Sequence, residues 1–252
     1  SFAKLNLDVS LLRAVAACGF TAPTEIQRQA IPAAIAGNDL MASAQTGTGK
    51  TAAFVLPALQ RLLQPSAVHG RGPRALVLTP TRELAQQVTG AINDFGRQMR
   101  VRAGTIVGGE PYGPQMKLLD RPVDFLIATP GRLLDHMSRG RIDFSRLELL
   151  VLDEADRMLD MGFIDDVEQI AAGSPATRQT LLFSATLEGD IQRVAQRLLR
   201  EPVRIQVAGV KVKHESIEQR IHLADDFKHK NALLGHLLND EQLAQCVVFT
   251  AT

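Results

Sequence analysis

Short apolar runs alternate with longer segments of helical spacing along most of the chain. Runs of three to five apolar residues without polar alternation are typical of strands buried on both faces of a sheet. The predicted strands cover residues 39–43, 75–79, 105–107, 125–128, 149–152 and 180–183. The predicted helices cover residues 50–63, 82–95, 114–119, 132–138, 165–171 and 190–199. This alternation with short connections predicts an α/β fold with a doubly wound, mostly parallel sheet.

Glycine-rich, polar and acidic segments directly follow the predicted strands. They cover residues 44–51, 80–82, 108–109, 129–132, 153–156 and 184–186. Because the carboxyl ends of parallel strands meet at one edge, we expect these segments to lie along that edge, where ligands of such sheets bind.

The pattern changes after residue 207. Residues 208–216 contain Gly209, Lys211, Lys213 and His214, a composition typical of a linker. Beyond it, residues 217–224, 227–238 and 247–250 repeat the strand–helix–strand pattern. The sequence therefore predicts a domain over 1–207, a linker over 208–216 and the incomplete start of a second domain over 217–252.

Composition restricts the class of protein. Of the 252 residues, 45% are hydrophobic and 22% charged, and the formal net charge is +1, so any nucleic-acid surface must be a local patch. Cys18 and Cys246 lie far apart without metal-ligand spacing, which favours a reducing compartment, the cytoplasm. No apolar run approaches the roughly 18 residues of a membrane span, so no membrane partner is expected.

The segment from Ala44 to Thr51 has the pattern of a phosphate loop. Its glycines allow backbone N–H groups to converge on phosphate oxygens at the start of a helix. Lys50 would reach the β- and γ-phosphates, and the Thr51 hydroxyl would bind Mg²⁺. The residues expected around the phosphates are Thr46, Gly47, Thr48, Gly49, Lys50 and Thr51. Ala44 stands where the general pattern has glycine, and a glycine-rich turn without a ligand is the alternative.

Asp153, Glu154 and Asp156 follow the predicted strand 149–152. Asp153 would hold Mg²⁺ through water, and Glu154 would orient or deprotonate the attacking water, since phosphoryl transfer depends on positioning and charge neutralisation. The alternative is a helix start that favours acidic residues through its dipole. Together with the phosphate loop, the acids predict hydrolysis of a nucleoside triphosphate, with Lys50, Asp153 and Glu154 as catalytic residues.

In this order, the motifs resemble those of the DEAD-box family of ATP-dependent RNA helicases, over about residues 2–207. Besides the two nucleotide motifs, the chain contains GFTAPTEIQ at 19–27, PTRELA at 80–85, GG at 108–109, TPGR at 129–132 and SAT at 184–186. The resemblance implies a RecA-like first helicase domain, followed by the start of a second RecA-like domain, with ATP and Mg²⁺ as cofactors.

The resemblance assigns the adenine base to residues near the amino terminus. Gln27 would hydrogen-bond the adenine edge, since an amide both donates and accepts. Phe2 would stack on the base and Thr24 would support the loop, although a terminal residue such as Phe2 can also pack elsewhere. Phe20 is expected in the core.

Three further segments correspond to the family's contacts with the RNA backbone. They contain Pro80, Thr81, Arg82, Gly108, Gly109, Thr129, Pro130, Gly131 and Arg132. Contacts of this kind carry no base information, so binding of single-stranded or duplex RNA independent of sequence is implied. Each segment also has a structural interpretation: Thr-Pro as a helix start, Gly-Gly as a turn, and Arg82 paired with Glu83.

Ser184 and Thr186 resemble the motif that couples the nucleotide state to domain closure, through hydroxyl hydrogen bonds to Asp156. The alternative is that these residues cap a helix beginning near Glu188.

The resemblance implies an enzyme with RNA-stimulated ATP hydrolysis and local, non-processive unwinding of RNA duplexes or remodelling of ribonucleoproteins. Residues 156–163 and 181–190 resemble the bacterial SrmB-type subgroup, which acts in large-subunit ribosome assembly, so a ribosomal precursor is an expected partner. The second-domain arginines of the family do not occur before Thr252, and the chain alone is expected to bind nucleotide without activity.

Two other functions remain open at this level. An ATP-gated RNA clamp or assembly scaffold without productive unwinding would use the same residues. A phosphate-loop enzyme acting on DNA is disfavoured by the segment 19–27 and by the Asp-Glu-Ala-Asp spelling of the acidic motif.

Overall fold

A computed structural model describes residues 1–45, 47–207, 220–239 and 244–249. The chain forms two compact units, Ser1–Gly209 and Val210–Thr252. The first unit contains the sheet.

The sheet has seven strands in the order β3-β4-β2-β5-β6-β1-β7, and every neighbouring pair is parallel. The strands are β1 (Leu40–Ser43), β2 (Ala75–Leu78), β3 (Ala103–Ile106), β4 (Phe125–Ala128), β5 (Leu149–Leu152), β6 (Gln179–Ser184) and β7 (Val203–Gln206). The predicted α/β fold with a doubly wound parallel sheet is confirmed, and β7 is an additional edge strand.

Helices cover both faces of the sheet. A short 3-10 helix, Phe2–Lys4, precedes α1 (Val9–Ala17), α2 (Glu25–Ile35), α3 (Lys50–Leu62), α4 (Arg82–Phe95), α5 (Tyr112–Leu119), α6 (Pro130–Ser138), α7 (Ala155–Asp160), α8 (Ile164–Ala172) and α9 (Asp190–Leu198). The six predicted helices are confirmed with ends within two residues, whereas α1, α2 and α7 are additional.

Two apolar clusters flank the sheet and explain the uninterrupted apolar runs. Helices α1 to α4 pack with one face of the strands, and α5 to α9 pack with the other. Within β5, Leu149 and Val151 belong to the first cluster, and Leu150 and Leu152 to the second. A strand buried on both faces has no polar positions to alternate with its apolar ones.

The strand order divides the carboxyl edge of the sheet, where the carboxyl ends of all strands lie, into two halves. β3, β4 and β2 are consecutive neighbours, and so are β5, β6 and β1. The segments after β2, β3 and β4 therefore lie side by side, and those after β1, β5 and β6 form a second group beside them.

The described part of the second unit contains one helix, α10 (Phe227–Leu238), which matches the predicted helix. The strands predicted at 217–224 and 247–250 are wrong where the structure describes them, because residues 220–224 and 247–249 are not in strands. Their remaining residues lie outside the described part, as does the predicted linker 208–216. The assignment of 1–207 and 217–252 to two helicase domains stays a prediction. No helix in the described ranges combines the length and apolarity needed to cross a membrane.

Candidate functional site

The glycine-rich segment after β1 forms a turn that leads directly into α3. Gly47 and Gly49 have φ values of 84° and 89°, in the left-handed region that glycine tolerates best. Lys50 is the first residue of α3 and is buried. Thr46, one of the predicted phosphate ligands, lies outside the described residues. The turn thus presents a helix N-terminus and a buried cation at one point, an arrangement suited to anions.

Gln27 fastens this turn to the start of α2. Its Oε1 accepts the main-chain N–H of Thr24 at 3.0 Å, and its Nε2 donates to the carbonyl oxygen of Gly49 at 3.0 Å. The side chain is fully buried. Both amide atoms therefore already have protein partners next to the phosphate loop, and the adenine contact expected of Gln27 stays a prediction.

The two aromatic residues near the amino terminus have different surroundings, and the stacking of Phe2 on adenine stays a prediction. Phe2 is only 6% exposed and belongs to the apolar cluster under α1 to α4. Phe20, predicted in the core, is 40% exposed, and its ring lies 5.7 Å from that of Phe95. The prediction for Phe20 was wrong because the ring covers the end of α4 instead of entering the sheet. It lines a cavity of about 630 Å³ that also touches Gly49 and Thr51.

Asp153, directly after β5, carries a buried carboxylate. The residue is 4% exposed, and in the described structure its Oδ1 has no hydrogen-bond partner. Burial raises the pKa of Asp153 to about 6, with further increases from Glu154 and Asp156, whereas the charge of Lys50 opposes the shift. An unsatisfied buried carboxylate oxygen is costly without a cation or a donor.

The unpartnered Oδ1 of Asp153 suits a carboxylate ligand of Mg²⁺, and the Mg²⁺ site expected at Asp153 and Thr51 stays a prediction. Among the described residues, no three His, Cys, Asp or Glu side chains gather into a metal cluster. Mg²⁺ does not require such a cluster, since it is usually held by one or two carboxylates together with water and substrate phosphates.

Glu154 has a left-handed backbone, with a φ of 55°, at the N-cap of α7. Non-glycine residues in this region are uncommon and cluster at functional sites. Its carboxylate lies 3.4 Å from the Arg157 guanidinium. The turn directs Asp153 and Glu154 into different surroundings although they are adjacent in sequence.

Hydrogen bonds join the ends of β1, β5 and β6. The Asp156 carboxylate accepts the main-chain N–H of Ala185 at 3.0 Å, and the Ser43 hydroxyl donates to the Ala185 carbonyl at 2.9 Å. The Ser184 hydroxyl accepts the N–H of Thr186 at 3.3 Å. In the part of the chain that the structure describes, the contact with Asp156 thus comes from the main chain of Ala185, and the predicted hydroxyl bonds from Ser184 and Thr186 are wrong.

The segments after β2, β3 and β4 meet at the other half of the carboxyl edge. The Thr129 hydroxyl accepts the N–H of Gly108 at 3.1 Å, which joins the ends of β3 and β4. Thr81 caps α4 through a bond from the N–H of Leu84 at 3.3 Å. Pro130 is the first residue of α6. The helix-start interpretations of these segments are therefore correct, and they are compatible with main-chain contacts to phosphates.

The two arginines of this half have different surroundings. Arg132 donates to the Glu110 carbonyl at 2.8 Å, and its guanidinium lies 4.7 Å from the centre of the Tyr112 ring. The Arg82 guanidinium lies 3.6 Å from the Glu83 carboxylate. Because both side chains are exposed, this ion pair is weak. Sequence reasoning missed Tyr112, although it is the single tyrosine of the chain and follows the Gly-Gly pair closely.

The sheet, the phosphate loop and the acids at neighbouring strand ends define a RecA-like P-loop domain. A family model described as DEAD/DEAH box helicase matches residues 24–194. The chain belongs to the DEAD/DEAH box helicase family.

Similar proteins of known name agree with this membership. The chain is 47% identical over 250 residues to the ATP-dependent RNA helicase SrmB of Escherichia coli, covering 99% of this chain and 56% of that protein. It is 41% identical over 252 residues to the DEAD-box ATP-dependent RNA helicase RhpA of Helicobacter pylori, covering 100% of this chain and 50% of that protein. A crystal structure of a hypothetical ATP-dependent RNA helicase from Sulfolobus tokodaii matches with a TM-score of 0.73 and 36% identity, covering 91% of this chain and 65% of that one. The chain thus spans about half the length of the curated relatives it matches.

Proposed function

We propose that the protein containing this chain is a cytoplasmic ATP-dependent RNA helicase, which couples RNA-stimulated ATP hydrolysis to local unwinding of RNA or remodelling of ribonucleoproteins. The observation that carries this proposal is the buried Asp153 carboxylate, whose Oδ1 has no hydrogen-bond partner in the described structure. The charge of Lys50 acts on this carboxylate. Asp153 follows β5, and the neighbouring strand β2 is followed by a proposed RNA segment at the same edge of the sheet.

The phosphate loop would bind the triphosphate. The left-handed turns at Gly47 and Gly49 would allow main-chain N–H groups to converge on phosphate oxygens, and Lys50, the first residue of α3, would add a positive charge. Thr51 and Asp153 would hold Mg²⁺, which neutralises phosphate charge when bound. Burial favours this role for Asp153, because a bound cation would remove the cost of its unpaired oxygen.

Glu154 would act on the attacking water. Its backbone turn separates its carboxylate from that of Asp153, so one acid can serve the metal and the other can orient the water and accept its proton. The Arg157 guanidinium, 3.4 Å from the Glu154 carboxylate, would help to hold that carboxylate in position.

RNA would lie across the ends of β2, β3 and β4. Main-chain N–H groups at Gly109 and at the starts of α4 and α6 suit phosphate oxygens, and Arg82 is exposed and weakly paired. The N–H of Gly108 already donates to Thr129, so Gly108 would contribute the close approach of phosphate that a residue without a side chain allows. The bond between Thr129 and Gly108 fixes two of these segments to each other. Such contacts fit sugar and phosphate, so recognition of RNA would be independent of base sequence.

A ribosomal precursor particle is the partner we propose, because residues 156–163 and 181–190 carry the SrmB-type pattern. We also propose that residues 1–252 alone bind nucleotide without sustained turnover. Related hydrolases need an added arginine at the transferred phosphate, worth about 10³–10⁵ in rate.

Glu154→Gln in the full-length protein tests the enzyme assignment. The variant should bind ATP as the wild type does in calorimetry and lose RNA-stimulated turnover by at least about a hundredfold, since a positioned base contributes about 10²–10⁴. Glu201→Gln, which changes an exposed acid that precedes β7, is the matched control and should retain turnover. Near-normal turnover in Glu154→Gln would refute the base assignment.

Duplex separation distinguishes a helicase from an ATP-gated clamp. A helicase should release the strands of a short RNA duplex with ATP, and the Glu154→Gln variant should not recycle between duplexes. ATP-dependent RNA retention without strand release in the wild type would establish the clamp. Stimulation of turnover by DNA as strong as that by RNA would reject the RNA assignment.

A further inference from the structure

A groove of about 310 Å³ lies at the amino edge of the sheet, where the strands begin, opposite the edge that carries the proposed RNA and nucleotide segments. Its lining includes Arg71 before β2, Arg121 before β4, Arg141 between α6 and β5, and Asp143, with Leu119 and Ile142 as apolar walls. We refer to this feature as the amino-edge groove.

The three arginines of the amino-edge groove are unpaired in the described structure: none of their guanidinium groups makes a hydrogen bond or an ion pair. The single carboxylate of the lining, Asp143, is already satisfied, because it accepts the N–H of Ser145 at 2.8 Å and its hydroxyl at 2.9 Å. The groove therefore holds a local excess of positive charge on a chain whose net charge is only +1.

Other arginines near the amino edge do have carboxylate partners. Arg74 pairs with Glu148 at 2.7 Å, and Arg146 pairs with Asp124 at 3.0 Å. Carboxylates thus pair with Arg74 and Arg146, whereas in the described structure none pairs with Arg71, Arg121 or Arg141.

The backbone under the unpaired arginines is anchored. The N–H of Val123 donates to the carbonyl of Arg71 at 3.2 Å, which joins the segments carrying Arg71 and Arg121. The N–H of Arg141 donates to the carbonyl of His136 at 3.0 Å. Arg146 donates to the carbonyl of Gly70 at 3.0 Å and also to that of Gly72.

Gly72 approaches Asp143 so closely that a Cβ would overlap its carbonyl oxygen. The close packing of these loops fixes the positions from which the guanidinium groups project into solvent. An anion would therefore meet charges whose main-chain supports are already ordered.

We propose that the amino-edge groove is a second phosphate-binding site, which holds the backbone of an RNA that extends beyond the segment bound at the carboxyl edge. Guanidinium groups bind phosphate through paired N–H donors and are weakly hydrated, which makes arginine the usual residue for such contacts. The inference rests on the proposed RNA-binding function and adds a second point of contact to it.

Geometry predicts that RNA length decides whether the groove is used. A four-residue strand spans about 13 Å, so the two edges are at least that far apart before their loops are included. A strand of about six nucleotides whose phosphates are held at the carboxyl edge would have none left for the groove, whereas a long RNA would extend beyond that edge and pass around the domain to it.

The test compares Arg71→Gln/Arg121→Gln/Arg141→Gln with wild type by fluorescence anisotropy, over a range of salt concentrations. The RNAs are single strands of about 6 and about 40 nucleotides. Each phosphate contact in a single strand contributes about 0.7 to the slope of log affinity against log salt, so the slope for the long RNA should fall by about 2. The slope for the short RNA should not change.

Arg13→Gln/Arg97→Gln/Arg204→Gln is the matched control. These arginines are exposed, and in the described ranges their side chains make no hydrogen bond or ion pair. The control removes the same number of charges away from the groove and should leave the long-RNA slope within about 0.5 of wild type. An equal fall in both triple variants would overturn the proposal, because a general loss of charge would explain it.

Arg82→Gln separates failure of this inference from failure of the proposed function. If Arg82→Gln weakens RNA binding and the groove variant leaves the long-RNA slope unchanged, the second site is refuted and RNA binding stands. If wild type binds neither the short nor the long RNA, the proposed function and the second-site proposal are both refuted.

Inorganic phosphate tests the alternative ligand. Suppose that phosphate protects wild type but not the groove variant from thermal unfolding, while the long-RNA slopes of the two proteins are equal. The second-site proposal is then overturned, because the groove binds small anions and not RNA.

Each single Arg→Gln variant of the groove should show about one third of the slope change of the triple variant. The single variants keep the test valid if the triple variant misfolds.

Discussion

The left-handed backbone of Gly49 brings the phosphate loop against the side chain of Gln27. A Cβ at residue 49 would overlap the Gln27 Nε2 atom, whereas a Cβ at Gly47, with nearly the same φ, would meet no atom within 4 Å. The two glycines therefore differ in packing and share the same backbone requirement.

Gly47→Ala and Gly49→Ala should separate these two effects. Gly47→Ala adds only backbone strain, about 1 kcal/mol of unfolding free energy. Gly49→Ala should cost at least about 1 kcal/mol more, because it also displaces the Gln27 amide from its two hydrogen bonds. Urea denaturation measures the difference. Equal losses in both variants would show that Gln27 moves aside freely.

The buried carboxylate of Asp153 makes the stability of the nucleotide-free protein depend on pH. Its pKa in the folded protein, about 6, lies above the ordinary 3.8 because of burial first and of Glu154 next. Between these values the folded state binds more protons than the unfolded state, so this residue lowers stability as pH rises through the window. Above the folded pKa the cost is complete.

Asp153→Asn should therefore stabilise the protein at neutral pH when metal and nucleotide are absent. At 1.36 kcal/mol per pKa unit, the gain in unfolding free energy is at most about 3 kcal/mol. It should vanish below about pH 4, where Asp153 becomes protonated in the folded and in the unfolded state. Thermal unfolding of the two proteins at both pH values measures it. A lower midpoint for Asp153→Asn at neutral pH would contradict the assignment.

At the scale of elements, Asp39 holds three strands together at the amino edge. Its Oδ1 accepts the N–H of Thr180 in β6 at 2.8 Å, and its Oδ2 accepts the N–H of Arg200 before β7 at 2.7 Å. The residue itself directly precedes β1 and is buried. The Asp39 carboxylate thus accepts one main-chain N–H in β6 and one before β7, and it connects both to the start of β1.

Asp39→Ala should lower the unfolding free energy by about 1–4 kcal/mol, because the buried N–H of Thr180 and the partly buried N–H of Arg200 lose their acceptor. Asp39→Asn keeps one carbonyl oxygen and should lose about half as much. Urea denaturation measures both, and an unchanged midpoint for Asp39→Ala would mean that water replaces the carboxylate.

Sequence reasoning located the strands that are buried on both faces and failed where that signal is missing. β5 and β4 are predicted with their observed ends, since each consists of four consecutive buried apolar residues. In β7 only Ile205 is buried, so an edge strand of this kind has no apolar run. α2 contains Pro32 in its interior, which argues against a helix in a sequence although the fold accommodates it.

The candidate site, like the fold, could be predicted from the sequence only in part. The residue types and their positions at strand ends are readable from the chain, whereas long-range contacts are not. No local pattern shows that Gln27 reaches Gly49, that Ala185 and not a hydroxyl contacts Asp156, or that Arg132 lies on Tyr112. These contacts depend on how the elements pack, and they connect residues far apart in sequence.

At the scale of the whole molecule, the strand order separates two kinds of chemistry. The proposed phosphate and magnesium residues and the coupling segment follow β1, β5 and β6, and the proposed RNA segments follow β2, β3 and β4, with the β2–β5 pair as the boundary. The amino-edge groove lies across the sheet from both. A rigid parallel sheet would thus keep three charged regions at fixed positions on one domain.

The first unit should fold without the rest of the chain. Both apolar clusters consist of residues between Phe2 and Val207, and no residue of α10 in the second unit is buried. A protein ending at residue 207 should therefore unfold with a midpoint within about 3 °C of the 252-residue chain, since 1 kcal/mol shifts the midpoint of a domain this size by about 2–4 °C. Calorimetry of both proteins measures this. A fall of more than about 5 °C would show that residues 208–252 contribute to the stability of the sheet domain, and the two units would then have to be treated as one cooperative structure.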